Sequence, residues 1–254
     1  MRFNNFGNNY AFRHANESVN SYSNVERCTK QGIGVKTILL VFVTFITALA
    51  MMVNLHRFDN LGLGLYGVVT IINVVLQLII CFSPRMTKTL SIPYAVSEGL
   101  LIGVLVGLLE FALPGTGYQI GLLSLVMTIA IFLAASILYT TGIIQVTNKF
   151  RTFMFVSLFG ILIGSLAVSI LSIFMPGLIS LIFGYNLSLI VAVVFVVLAG
   201  LYVTISLDNA HKMVEAGFDK ECEWYAAYGI LINLIWLYLE ILRLLLIVAS
   251  KNRD

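Results

Sequence analysis

The chain has 254 residues, 59% of them hydrophobic and 11% charged, with a formal net charge of +3; an ordinary soluble domain carries roughly 45–50% and about 25%. So few charges cannot clothe a water-soluble surface, which excludes a soluble enzyme, a disordered regulator and a disulfide-stapled secreted module. The basic residues flank apolar runs instead of forming a stripe, so they orient the chain in a bilayer and do not indicate a nucleic-acid partner.

Residues 1–35 read as a polar, mobile cytoplasmic tail rich in Asn and Ser, with no apolar run of signal-peptide length. Residues 36–250 read as the membrane domain. Apolar segments fall at about 36–53, 62–83, 92–113, 119–139, 152–174, 184–207 and 226–249, each close to the ~20 residues a helix needs to cross ~30 Å of hydrocarbon. The expected class is therefore all-α, a polytopic integral membrane protein built as a bundle of seven transmembrane helices. Cys28, Cys81 and Cys222 are widely spaced and form no CxxC pattern, so they read as structural.

Cytoplasmic loops carry the excess of Lys and Arg. Arg2, Arg13, Arg27, Lys30 and Lys36 in the tail share a side with Arg85 and Lys88, Lys149 and Arg151, and Lys212 and Lys220 in alternate connections. The opposite side has Arg57, Lys251 and Arg253, and Arg243 lies inside the last segment. A cytoplasmic N-terminus follows. The last segment either crosses or re-enters, because Glu240 and Arg243 interrupt it.

The third segment carries Gly99, Gly103 and Gly107 at a spacing of four, and the fifth carries Gly160 and Gly164. Rows of small residues let membrane helices approach closely, so these five are expected at helix contacts.

A carboxylate inside the membrane is expensive and is tolerated where it faces protein or water. Four are candidates. Glu110 lies near an interface and can reach it. Glu98 sits roughly 9 Å in from the cytoplasmic boundary, counted at 1.5 Å per residue. Asp208 closes the sixth segment, and Glu98 and Asn233 lie within about two turns of the same boundary, so the three are expected to share an inner polar pocket. Glu240 lies on the same helical face as Asn233 but ~10 Å further out. It either pairs with Arg243 at i,i+3 or lines a watery path.

Enzymatic readings fail on content. His14, His56 and His211 fall in the tail or connections, so no intramembrane Ser-His dyad, haem ligand pair or HExxH zinc helix can be assembled from the segments. No cofactor motif occurs, and no metal ligand set can be assigned.

The stretches PYAVSEGLLIG, LYTTGIIQVTNKFR and EWYAAYGILINLIWLYLEILRLL resemble the Bax inhibitor-1/YccA-like membrane proteins, in particular the bacterial branch with a long polar N-terminal tail. The resemblance covers about residues 36–250 and implies a seven-helix bundle in a bacterial cytoplasmic membrane. It also implies a pH-sensitive calcium leak, in which an acid closing the sixth helix pairs with one in the seventh near a basic residue closing the second. Asp208 matches the first acid and Arg85 the basic residue. Aligning on Arg243 puts Asn233 at the second acid, whereas matching LYLE nominates Glu240; Glu98 is then a substitute partner. Calcium is expected as a permeant ion, for which oxygen ligands are suited. The alternative is a non-conducting regulator whose acids only bind the bundle together, acting through a partner such as a membrane protease or stress-response factor.

Overall fold

The computed structural model describes residues 26–54, 62–175 and 185–251. Seven α-helices follow one another: α1 (Lys30–Asn54), α2 (Gly62–Phe82), α3 (Thr87–Ala112), α4 (Gly117–Thr140), α5 (Asn148–Phe174), α6 (Tyr185–Glu215) and α7 (Cys222–Lys251), with one 3-10 turn, Pro84–Met86, between α2 and α3. Six are long and apolar enough to cross a membrane; α2 contributes a shorter apolar stretch, Tyr66–Phe82. Most of the expected tail, residues 1–25, lies outside the described residues, as do His14, His56, Arg57 and Arg253.

In hydrocarbon every backbone amide must find its partner within the segment, so an apolar run of this length has the helix as its only stable form. The threonines comply: Thr37, Thr44 and Thr128 donate their hydroxyls to Ile33, Leu40 and Ser124 carbonyls at 2.9, 3.0 and 2.7 Å. The last segment is one unbroken helix of 30 residues, about 45 Å at the standard rise, long and apolar enough to cross a membrane and without the break that a re-entrant segment contains.

α7 is the central helix. It packs against α1, α3, α4 and α6, and Ala227, Tyr228, Leu231, Leu237 and Ile241 are buried around its circumference. α2 leans on α3, pinned by Asn73, whose side-chain amide donates to Ser97 Oγ at 3.0 Å in a buried position. α5 lies outermost and touches mainly α6.

The glycine rows differ in what they meet. A Cβ on Gly103 would lie 2.6 Å from the Ala48 carbonyl and 2.7 Å from Met51 Cβ, and one on Gly99 would collide with Thr47 and the Thr44 carbonyl. Gly107 is also buried. This row is the contact of α3 with α1. Gly160 and Gly164, expected at a contact as well, are exposed with no neighbour within 4 Å of a Cβ among the described residues. The reason is position: α5 is the outlying helix, and its glycine face looks away from α6.

α6 ends in a Schellman motif, with the Phe218 amide on the Met213 carbonyl (3.2 Å) and the Gly217 amide on that of Val214 (3.1 Å). Gly217 takes φ +69° there, a left-handed conformation that a Cβ disfavours. The turn throws residues 218–221 across the N-terminal segment. Cys28 N–H donates to the Phe218 carbonyl and Lys220 N–H to that of Glu26, both at 2.8 Å.

Candidate functional site

Two polar clusters occupy the end of the bundle where α1, α3, α5 and α7 begin. The first is centred on Asp208, two turns before the end of α6 and 8% exposed. Lys212, one turn on, donates to Oδ2 at 2.9 Å. Arg151, in the first turn of α5, pairs with the same oxygen through Nη2 and donates from Nη1 to Asn209 Oδ1 at 2.7 Å. Tyr139, at the end of α4, donates its hydroxyl to Oδ1 at 3.2 Å. One carboxylate thus ties together three helices and holds two cations. His211 stands edge-on to Tyr139 at 6.2 Å and is bonded to Glu215 at 3.0 Å.

Asp208, Tyr139 and His211 face a cavity of about 740 Å³, lined also by Lys30, Ser136, Thr140 and Gln145 among others. His211 therefore lies in the helical extension of α6 and not in a connection as expected, because α6 continues two turns past its apolar segment.

The expected partners of Asp208 are placed elsewhere. Glu98 accepts the Tyr94 hydroxyl, one turn earlier in α3, at 2.6 Å, and the Tyr94 ring meets Tyr228 of α7 edge-on at 4.9 Å. Asn233 donates to Ser206 Oγ and to the Gly229 carbonyl, the latter at 3.2 Å. Arg85 sits in the 3-10 turn after α2. Among the described residues no hydrogen bond or ion pair joins Asp208 to Glu98, Asn233 or Arg85. For Glu98 and Arg85 the physical reason is lateral: depth counting puts residues at one level but says nothing about which helices are neighbours, and α6 has α5 beside it, not α2; Asn233, on the neighbouring α7, meets α6 at Ser206, two residues before Asp208. Arg151 supplies the cation expected of Arg85. It lies with Tyr139 inside LYTTGIIQVTNKFR, so the signal was a cation at the mouth of an apolar segment, counted only toward orientation.

Glu240 accepts Trp236 Nε1 at 3.1 Å, and Arg243 approaches it at 3.8 Å. Its Oε2 is buried without a hydrogen bond. Arg243 also lies over the Phe195 ring at 5.6 Å. Glu110 caps the start of α4 by accepting the Gly115 and Tyr118 amides at 2.5 and 2.9 Å.

The second cluster was not read from the sequence. Glu223, in the first turn of α7, is 1% exposed and accepts Thr29 N–H and Thr29 Oγ1 at 2.9 Å each and Lys36 Nζ at 2.5 Å. Gly32 leaves the room: a Cβ there would strike the Glu223 carboxylate. Lys36 also lies 5.3 Å from the Trp224 ring centroid. Outside the helices, Lys220 pairs with Glu26 at 2.5 Å, and this hydrogen bond holds its ammonium above the usual lysine range. Burial pushes the Cys28 thiol up, and the Glu223 charge adds to it. All three cysteines are free.

Among the described residues no three His, Cys, Asp or Glu side chains converge on a metal-sized point. The arrangement can bind one buried carboxylate between cations at the wall of a polar cavity and release it when the carboxylate gains a proton.

These features define a helical polytopic membrane protein with a buried carboxylate clamp at one end of its bundle. A profile of the Bax inhibitor 1 like family matches residues 5–250, and the chain belongs to that family. No curated protein matches it.

Proposed function

We propose that the protein is a pH-sensitive cation leak, with calcium as the permeant ion, in a bacterial cytoplasmic membrane with its N-terminus inside. The observation that carries the reading is the buried Asp208 at the cavity wall, held by Arg151, Lys212 and Tyr139. The groups facing it come from α4, α5 and α6: Tyr139, Arg151, and Lys212 with the His211–Glu215 pair nearby. Adding a proton removes the charge that Arg151 and Lys212 bind, so α5 loses its main polar tie to α6 and the cavity opens toward the membrane interior. Oxygen-lined walls suit a hard divalent cation in transit. Glu98 and Asn233 act as polar contacts at the next level down, and no catalytic chemistry is assigned. Calcium flux through purified protein in liposomes, measured across a pH series, tests the reading; flux equal to protein-free liposomes at every pH overturns it.

A second reading has its own support. α5 leaves Gly160, Gly164 and most of its apolar side chains exposed, as a helix does when another membrane protein covers it. A non-conducting regulator acting through a membrane protease or a stress-response factor would then keep the Asp208 clamp as a fastening only.

A further inference from the structure

A second cavity, about 490 Å³ and almost entirely apolar, runs along the bundle between α1 and α4 with α3 and α7 as its floor. Phe42, Phe45 and Leu49 of α1 face Leu122, Leu125 and Ile129 of α4 across it. The hydroxyls on its walls are already spent: Thr37, Thr44 and Thr128 each bond to a carbonyl of their own helix. Such a groove offers water no hydrogen bond, so in a bilayer hydrocarbon fills it.

The groove adjoins the polar cavity beside Asp208, with Thr37, Ile38 and Phe132 lining both, so the two together form an apolar channel with a polar chamber at the basic end of the bundle. The charges around that end leave a cation over. Asp208 is matched by Arg151 and Lys212, and Glu215 is hydrogen-bonded to His211, while Lys30 at the mouth has no carboxylate within ion-pair distance among the described residues. The channel is thus apolar along its length, polar at one end, and positive at the mouth.

We propose that this channel is a binding site for an anionic glycerophospholipid, with one acyl chain between α1 and α4 and the phosphate at Lys30. The assignment stands on the shape and charge of the channel and does not depend on conduction. An ammonium near the bilayer surface favours anionic over zwitterionic headgroups, and the apolar groove makes the same lipid a resident and not a passing neighbour.

The test uses the full chain in nanodiscs of phosphatidylcholine containing either phosphatidylglycerol or phosphatidylcholine with a diazirine in one acyl chain. After photolysis, adducts are mapped by mass spectrometry. Adducts concentrated on α1 and α4, with the glycerol lipid captured in preference, are expected. Lys30→Gln should lower phosphatidylglycerol capture about fivefold and leave phosphatidylcholine capture unchanged. Lys149→Gln, at an exposed lysine that does not line the cavity, should change neither. Leu122→Trp, which fills the groove from its rim, should lower both adducts there. Folding of each variant is checked by thermal unfolding in the same discs, and among the described residues no ion pair is lost in Lys30→Gln. Adducts spread equally over the exposed faces of α2 and α5, or equal capture of the two lipids unaffected by Lys30→Gln, would overturn the proposal. So would a Phe42→Cys variant that cross-links to a second copy in the disc, since the groove would then be an interface between copies.

Discussion

Arg151 reaches from the first turn of α5 to Asp208 in α6, and it is the contact through which the outermost helix holds the carboxylate of the inner wall. Lys212 and Tyr139 complete the clamp, so the charge on one oxygen pair decides how firmly three helices meet. Asp208→Asn should therefore abolish pH control of calcium flux, and Arg151→Gln should raise flux at neutral pH toward its acid level. Glu98→Gln should alter flux less, because Glu98 is bonded within its own helix to Tyr94. Glu240→Gln should leave the pH response intact and act on stability through Trp236 and Arg243. Loss of pH response in Glu240→Gln with an unaltered Asp208→Asn profile would move the sensor to α7.

Close approach of α1 and α3 at Gly103 separates two glycine rows that look alike in sequence. Gly103→Ala should destabilise the protein by about 1–3 kcal/mol, since the Ala48 carbonyl and Met51 cannot both yield. Gly160→Ala should leave stability unchanged or raise it by about 0.5–1 kcal/mol through helix propensity. Thermal unfolding in one detergent compares them directly.

The strap formed by residues 26–29 provides a third prediction. Glu223→Gln removes a buried charge that accepts three hydrogen bonds, and charged hydrogen bonds contribute about 1.5–3 kcal/mol each. Cys28, within the strap, should then alkylate faster, because its burial ends and the neighbouring negative charge that raises its thiol is gone. Maleimide labelling with intact-mass readout measures the rate. An unchanged Cys28 rate would mean that the strap stays docked without Glu223.

Alkaline pH should loosen the same strap. The Cys28 thiol and the Lys220 ammonium both hold their protons more tightly when folded, the former through burial and the latter through Glu26. A group with a raised folded value stabilises fully below its ordinary value and loses that contribution as pH rises through the folded one. The ordinary values are 9.0 and 10.5. Protection of the 26–29 amides from hydrogen exchange, corrected for the intrinsic rate, should accordingly be flat up to about pH 9 and fall above it.

Topology is checked by cysteine accessibility, with positions 85–90, 145–150 and 212–222 expected on one side of the membrane. Labelling of two of the three loops from opposite sides would break the bundle's arrangement.

Each helix is legible as an apolar segment, and the larger differences at the ends run one way. α1 was expected from 36 and starts at Lys30; α6 was expected to stop at 207 and runs to Glu215; α7 begins at Cys222, four residues before its apolar segment. Apolarity marks where hydrocarbon lies, whereas a helix continues into the interface as long as its hydrogen bonds do. The candidate site shows a similar limit. Asp208 was legible because an acid closing an apolar segment is costly, but its partners belong to α4 and α5, and no periodicity along one helix reveals which others flank it. Glu223 was invisible for a related reason: it lies just outside an apolar segment, where a carboxylate reads as surface, and only the fold brings Thr29 and Lys36 over it.

The bond between Lys36 and Glu223 has a consequence for the order of assembly. α1 is made first and α7 last, yet α1 lies against α7 and carries a lysine whose counter-charge belongs to α7. Until that helix enters, the ammonium of Lys36 lacks this counter-charge and stays in contact with water or headgroups. Insertion of α7 is thus the step that covers Lys36, and a ribosome-bound intermediate lacking α7 should expose it to amine-reactive label while the finished chain, in which its side chain is 16% exposed, protects it.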